Sequence, residues 1–288
     1  MLIPMQNESL YALLEAALRE DIGEGDHSTL SCIPQGKKGK AILKIKQPGI
    51  LAGMEVARYL FRMMEPGAQL TEYKKDGDAM KAGDSAFEID ASMCTILGGE
   101  RLVLNCMQRM SGIATLTHTY AEKLKGYHTR LLDTRKTTPN FRLLEKEAVR
   151  IGGGINHRMG LYDMIMLKDN HIDYCGGLEA AISQAYAYAS IRSPQLKIEV
   201  ETRSLEEVKK VCEIGVGKVF RIMLDNFTPA AVREAVQLVS GRFETEASGS
   251  IHLDTLVSFA ETGVDYVSVG GLIHQAQSLD MSLKAELS

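Results

Sequence analysis

Leu10, Leu13, Leu14 and Leu18 recur at helical spacing between Ser9 and Glu20, and the acid- and glycine-rich "EDIGEGDHST" then breaks the pattern. A short amphipathic helix and a turn are predicted there. In "KAILKIKQPGILAG", Leu43 and Ile45 alternate with Lys44 and Lys46 up to Pro48-Gly49, which predicts strand, turn, strand. Val56, Tyr59, Leu60 and Met63 share a helical face until Pro66-Gly67 stops it. "QLTEYKKDGDAMKAGDSAFEID" sets two glycine turns between short strand-like runs. Glu100 to Lys125 is helix-compatible, interrupted only by Ser111-Gly112, and we place a domain boundary near that interruption.

The style then changes. Short apolar runs, "TRLLD", "MIMLK", "LKIEV", "VFRIML", "RFETEA" and "DYVSV", alternate with polar or glycine-rich loops and helical stretches. Such alternation predicts a parallel sheet. Six units in about 150 residues favour an incomplete α/β barrel over a doubly wound sheet, because polar and charged residues follow nearly every strand and barrel strand ends share one mouth.

With 288 residues, 45% of them apolar, the chain can bury a full core and exceeds one minimal domain. Its net charge of -4 argues against general nucleic-acid affinity, so any basic site must be local. "MLIPMQNESL" lacks the charged start and apolar core of a secretory signal, and no apolar run nears the roughly 20 residues that span a bilayer. A soluble, cytosolic protein is expected. Cys32, Cys94, Cys106, Cys175 and Cys212 are odd in number and scattered, so we read them as reduced, mostly buried thiols.

One local excess of positive charge stands out. Arg135 and Lys136 follow the first barrel strand, His157 and Arg158 lead into the second, and Lys168 and His171 fall at its end. Together they suit a small polyanion, since guanidinium groups pair bidentately with carboxylates and phosphates while lysine supplies a compact charge. Glu199 and Glu201 alternate along "IEVET", and Asp225 closes "RIMLD"; these carboxylates are candidate Mg²⁺ ligands or stabilisers of a developing cation. Ser248-Gly249 and Gly270-Gly271 follow consecutive strands, where bare backbone N–H groups bind phosphate. Plainer readings stand beside these. A lone Arg or Lys after a strand is ordinarily solvated, Glu199 reads first as a structural ion pair, and Gly152-Gly153-Gly154 reads equally as a connection or a ligand contact. His27, His118 and His128 show no partner pattern.

"DTRKTTP", "GGGINHRMGLYDMIMLKDNHI", "IMLDNF", "EASGS" and "DYVSVGGLIH" resemble the successive motifs of the quinolinate phosphoribosyltransferase family; "EDIGEGDHST", "GERLVLN" and "QSLDMSLK" extend the likeness over nearly the whole chain. The resemblance implies an N-terminal α/β sandwich domain (1–112), an incomplete TIM-like α/β barrel (113–274) and a tail (275–288) returning to the first domain. It implies transfer of phosphoribosyl from 5-phosphoribosyl-1-pyrophosphate to quinolinate with decarboxylation, giving nicotinate mononucleotide for NAD synthesis. A homodimer with shared active sites, or a higher oligomer, is also implied. It assigns Arg135, His157, Arg158, Lys168 and His171 to the quinolinate pocket, with Arg101 reaching in from the partner subunit. Lys136 falls to the phosphoribosyl donor, and Glu201 and Asp225 to its ribose or Mg²⁺. Thr134, Ser248, Gly249, Ser250, Val269, Gly270, Gly271 and His274 complete the binding set. Lys136, Lys168, Glu201 and Asp225 are the catalytic candidates. The stretch between the Glu and the Asp is longer than the common family spacing, which leaves the choice between Glu201 and Glu199 open.

Two other readings are carried forward. One is a same-scaffold enzyme with another acceptor, such as nicotinate, or a molybdate-operon homologue. The other is a non-catalytic metabolite-binding or carrier protein, in which "DGDAMKAGD" is a modified hairpin like that of lipoyl and biotinyl domains and Lys81 its target.

Overall fold

The computed structural model describes residues 7–286. "MLIPMQ", the start of the stretch read for a leader, and the last two residues of the tail lie outside the described residues. The chain forms two compact units. One comprises Met1–His118, Thr137–Gly153 and Ile273–Ser288; the other comprises Thr119–Lys136 and Gly154–Leu272.

The elements of the first stretch are α1 (Asn7–Ile22), α2 (His27–Cys32), β1 (Lys38–Ile45), β2 (Gly49–Ile50), α3 (Met54–Met64), β3 (Gln69–Glu72), β4 (Ala79–Met80), β5 (Ser85–Ser92) and α4 (Met93–Lys123). The leucine stripe of α1 is genuine, with Leu10 and Leu14 fully buried. "EDIGEGDHST" does more than turn: Asp26 caps α2 by accepting from the Thr29 N–H at 3.1 Å, satisfying a donor that the helix cannot. Ala41, Leu43 and Ile45 of β1 are buried, while Ile42 and Lys44 between them are only half-buried on the other face. Phe87 of β5 meets Phe61 of α3 edge-on, with ring centroids 6.2 Å apart.

The sheet order is β12-β1-β5-β3, where β12 (Met281–Glu286) is the C-terminal strand, antiparallel to β1 with Leu43 opposite Leu283. With both edges of β1 taken, β2 cannot fold back onto it and pairs with β4 instead. Strand, turn, strand is therefore right, but the two strands belong to different sheets.

After α4 come β6 (Arg130–Leu132), α5 (Arg142–Ile151), β7 (Ile165–Leu167), α6 (Asp169–Tyr174), α7 (Leu178–Arg192), β8 (Ile198–Thr202), α8 (Leu205–Ile214), β9 (Arg221–Asp225), α9 (Pro229–Val239), β10 (Glu244–Ser248), α10 (Leu256–Ala260), β11 (Tyr266–Ser268) and α11 (Gly271–His274). All six expected strands form one sheet, ordered β6-β11-β10-β9-β8-β7. Each step is parallel. Read as a ring, every neighbour follows in sequence and β11 closes on β6; only the β6–β7 step is missing. A doubly wound sheet would reverse its order instead. At the open seam Ile155 bridges Leu132, donating to Leu131 O at 2.8 Å and accepting from Asp133 N at 3.1 Å. The architecture is an incomplete α/β barrel.

Its helices are punctuated as the residue types demand. Ser204 caps α8 and Thr228 caps α9, whose first residue is Pro229. Among the described residues no helix is long and apolar enough to cross a membrane. All five cysteines are free, but only Cys106 and Cys212 are buried; Cys32 is exposed and Cys94 and Cys175 lie between, so the expectation of mostly buried thiols is corrected.

Candidate functional site

The barrel strands present their polar residues in register. Glu199 and Glu201 of β8 share a face, as do Arg221, Met223 and Asp225 of β9 and Glu244, Glu246 and Ser248 of β10. Pairing aligns Glu199 with Arg221, Arg221 with Glu244, and Asp225 with Ser248. Carboxylates and a guanidinium thus stack in layers along the inner face.

At the open seam the fully buried Asp133 fastens two segments. Its Oδ2 accepts from Asn156 Nδ2 at 2.7 Å and its Oδ1 from the His157 N–H at 2.8 Å. Thr134 Oγ1 accepts from the Lys136 N–H at 3.1 Å, shaping the turn that presents half-buried Arg135 and exposed Lys136. On the opposite segment Arg158 is buried and donates through Nη1 to Met164 O at 3.2 Å. Asp163 caps the turn between them, accepting from the N–H groups of Met159 and Gly160 at 2.7 and 2.8 Å. Burial pulls the Arg158 pKa down, and the charge of Arg135 pulls it further. The two guanidinium groups are thus close enough for the charge of Arg135 to act on Arg158, and an anion bound beside them would favour both charges.

A second cluster lies at the ends of β7 to β10. Lys168 Nζ donates to Glu201 Oε2 at 2.7 Å, with Glu201 buried and Lys168 partly exposed. Burial, followed by the charge of Glu201, raises the Asp225 carboxyl; Lys168, Asn226 and Ser248 offset this in part. Of the two glutamates of β8, it is Glu201 that neighbours Lys168 and Asp225, while Glu199 reaches His157. His171 is exposed, and its Nδ1 accepts from the Lys168 N–H at 3.0 Å, which fixes the entry to α6. Glu201 and Asp225 supply the carboxylate oxygens that a hard divalent cation takes.

Left-handed backbone marks the next loops. Asn226 and Ser250 have φ of 58° and 51°, and Gly249 has φ of 97°. A Cβ on Gly249 would lie 2.2 Å from Asn226 Oδ1, so only glycine lets the loops after β9 and β10 approach this closely. Val269 donates to Leu132 O at 3.0 Å, extending the β11–β6 ladder to Gly270 and Gly271, where α11 begins. His274 ends that helix and Arg101 sits on α4; both are exposed and belong to the first unit. Gly152 has a packing reason, since a Cβ there would stand 2.4 Å from Ala114 O. Of the unassigned histidines, His27, His118 and His128 are all exposed, and His128 Nε2 contacts Asp265 at 3.0 Å.

Sequence reasoning missed Glu246 and Arg221. His157 Nε2 lies 2.9 Å from Glu199 Oε2 and 3.3 Å from Glu246 Oε2, off the line of a straight hydrogen bond, so the contacts are chiefly between charges. Arg221 Nη1 donates to Glu246 Oε2 at 2.9 Å, and its other nitrogens reach Glu244. Burial works against a charged His157, but contact with Glu199 and then Glu246 outweighs it and holds the pKa up at about 9. Yet Nδ1 accepts the Arg158 N–H at 2.7 Å and needs a lone pair there. We assign the ring proton to Nε2 and the additional proton to the space shared with Glu199, whose carboxyl burial and Glu246 push up to about 7. The available signal was the "ETEAS" alternation, which repeats the acidic alternation of "IEVET".

Comparison with known proteins follows the same lines. The N-terminal domain of quinolinate phosphoribosyl transferase matches residues 26–111 and its C-terminal domain residues 113–284. A chloroplastic nicotinate-nucleotide pyrophosphorylase [carboxylating] of Arabidopsis thaliana is 41% identical, covering 96% of this chain and 83% of its own length. A probable nicotinate-nucleotide pyrophosphorylase [carboxylating] of Bacillus subtilis is 40% identical, covering 99% and 96%. The crystal structure of NadC from Streptococcus pyogenes superposes with a TM-score of 0.89 at 42% identity, covering 99% of this chain and 97% of that one. With both domains matched in order over nearly the whole length, this chain belongs to the quinolinate phosphoribosyltransferase family.

Proposed function

We infer that the protein transfers the phosphoribosyl group of 5-phosphoribosyl-1-pyrophosphate to quinolinate and releases carbon dioxide and pyrophosphate, giving nicotinate mononucleotide. The observation that carries the reading is the Arg135–Arg158 pair. Burial first and then the charge of Arg135 depress the Arg158 pKa, and guanidinium groups pair bidentately with carboxylates such as the two adjacent ones of quinolinate. Nicotinate offers only one carboxylate to the pair.

The reaction follows from this chemistry. The bond between ribose C1 and the pyrophosphate oxygen breaks as the pyridine nitrogen bonds to C1, which becomes oxocarbenium-like. Glu201 and Asp225 stabilise that positive charge by fixed electrostatics. These same carboxylates would hold Mg²⁺, which when bound neutralises the donor's phosphates. Once the ring nitrogen is quaternary, the electrons left as the 2-carboxylate departs reside on C2 beside it, and a proton then completes the ring. Lys168 and Lys136 are the candidate proton sources. Lys168 is oriented by its 2.7 Å bond to Glu201. The loops carrying Ser248, Gly249, Ser250, Val269, Gly270 and Gly271, with His274 beyond them, receive the phosphate end. His171, at the start of α6, lies on the acceptor side.

The chain works as a homodimer in this reading, with Arg101, exposed on α4, completing the partner's acceptor pocket. Mixing an Arg101→Ala variant with a Lys168→Ala variant should then restore part of the activity that each lacks alone, through hybrid dimers with one intact site. No restoration after subunit exchange would contradict a shared site.

Supplied with Mg²⁺ and 5-phosphoribosyl-1-pyrophosphate, the protein should release carbon dioxide and form nicotinate mononucleotide from quinolinate but not turn over nicotinate. A chelator should stop the reaction and added Mg²⁺ restore it. Equal turnover of nicotinate would favour the alternative acceptor, and absence of both reactions would favour a binding or carrier protein.

Arg135→Ala should raise the quinolinate KM by roughly 10- to 100-fold, since a hydrogen bond to a charged group contributes about 1.5–3 kcal/mol. The KM for the phosphoribosyl donor should change little. An unchanged quinolinate KM would remove Arg135 from the pocket.

A further inference from the structure

The geometry points to Glu199 and Glu246 as positioning residues for acceptor binding: they grip the His157 ring from inside the barrel, and the ring's other nitrogen holds the Arg158 backbone in place. This rests on the acceptor reading above and extends it to residues with no contact to the substrate.

The chain of contacts is continuous. Arg221 Nη1 fixes Glu246 Oε2 at 2.9 Å; Glu246 and Glu199 flank His157 Nε2 at 3.3 and 2.9 Å; His157 Nδ1 accepts the Arg158 N–H at 2.7 Å. Asp133 holds the same residue from its other side, through the His157 N–H at 2.8 Å. Both nitrogens of the ring are engaged by protein groups, and its side chain is only 5% exposed. Such a ring is placed to orient Arg158 rather than to reach out for a carboxylate. The expense of keeping two carboxylates wholly buried also needs a reason, because an apolar filling of the barrel would be at least as stable. A fixed backbone at Arg158 is that reason: a binding side chain is held in a productive position only if the groups behind it are themselves held.

The same three donors, His157, Glu199 and Glu246, lie within 4.8 Å of one another and could hold a metal ion. Arg221 and the cluster's proton already supply the positive charge an ion would bring, so we read it as an ion-pair cluster.

Glu199→Gln and Glu246→Gln keep shape while removing charge. Each should raise the quinolinate KM by roughly tenfold through loss of alignment, with kcat at saturation and the donor KM changing less than about twofold. Combining either with His157→Gln should add little, because the three act as one unit. Glu244→Gln, on the outer side of Arg221, should leave the quinolinate KM unchanged. A uniform fall in all parameters, or independent, additive losses, would overturn the proposal.

A second measurement does not require the variants to fold. In wild-type protein with ¹⁵N-labelled histidine, the His157 Nδ1 should give an unprotonated resonance whose protonation state does not change when benzene-1,2-dicarboxylate is added. A ring that gains or loses a proton on ligand binding would make it a direct contact and overturn the proposal. Stoichiometric metal in the purified protein, lost in Glu199→Gln, would do the same. Should quinolinate not react at all, the functional reading fails, while the nitrogen resonances still decide whether the ring is held as described.

Discussion

Burial of Arg158 beside the charge of Arg135 is the constraint on which the barrel's open seam depends. A guanidinium group is costly to bury unless it is paired and hydrogen-bonded. Here Arg158 is buried and its pKa depressed, while Asp133 ties the preceding residues to the turn that carries Arg135. The missing β6–β7 pairing makes room for this arrangement: the segment around Ile155 takes the place of a neighbouring strand and delivers His157 and Arg158 to the end of β6. Incompleteness of the barrel is thus part of how the site is built.

The opposite charge is stored on the inner faces of β8, β9 and β10. It is divided between two depths. Glu201 and Asp225, near the strand ends, neighbour Lys168 and remain close enough for the charge of one to raise the pKa of the other. Glu199 and Glu246 lie deeper, beside His157 and Arg221. In the proposed reaction the shallow pair serves the reacting sugar and the cation, and the deep pair acts through the protein. Alternation along a strand separates Glu199 from Glu201 by one step on the same face, so a single strand serves both tasks.

Strands and helices were legible because each follows local periodicity: Leu43 and Ile45 against their lysines, Leu10 and Leu14 along α1, and apolar runs for buried parallel strands. Partner choice was not. Nothing in "KAILKIKQPGILAG" reveals that β12, more than 230 residues on, occupies an edge of β1 and turns β2 toward β4. Among site residues, the cations were visible as a local excess over a mildly acidic chain. Glu246 and Arg221 were not, because each sits in a short strand where a charge reads as solvent-facing, and only the curvature of the sheet turns that face inward. The cysteines show the same limit in reverse, since burial of Cys32, Cys94 and Cys175 depends on packing that their spacing does not encode.

Recognition of two adjacent carboxylates by Arg135 and Arg158 is the central claim, and it can be measured without turnover. Isothermal titration calorimetry would compare benzene-1,2-dicarboxylate, which keeps both charges but lacks the reacting nitrogen, with benzoate. The account predicts that the dicarboxylate binds at least about tenfold more tightly, as one further charged contact requires, and is displaced by quinolinate. Equal affinity for the two ligands would mean that the second cation does not read a carboxylate, and would contradict it.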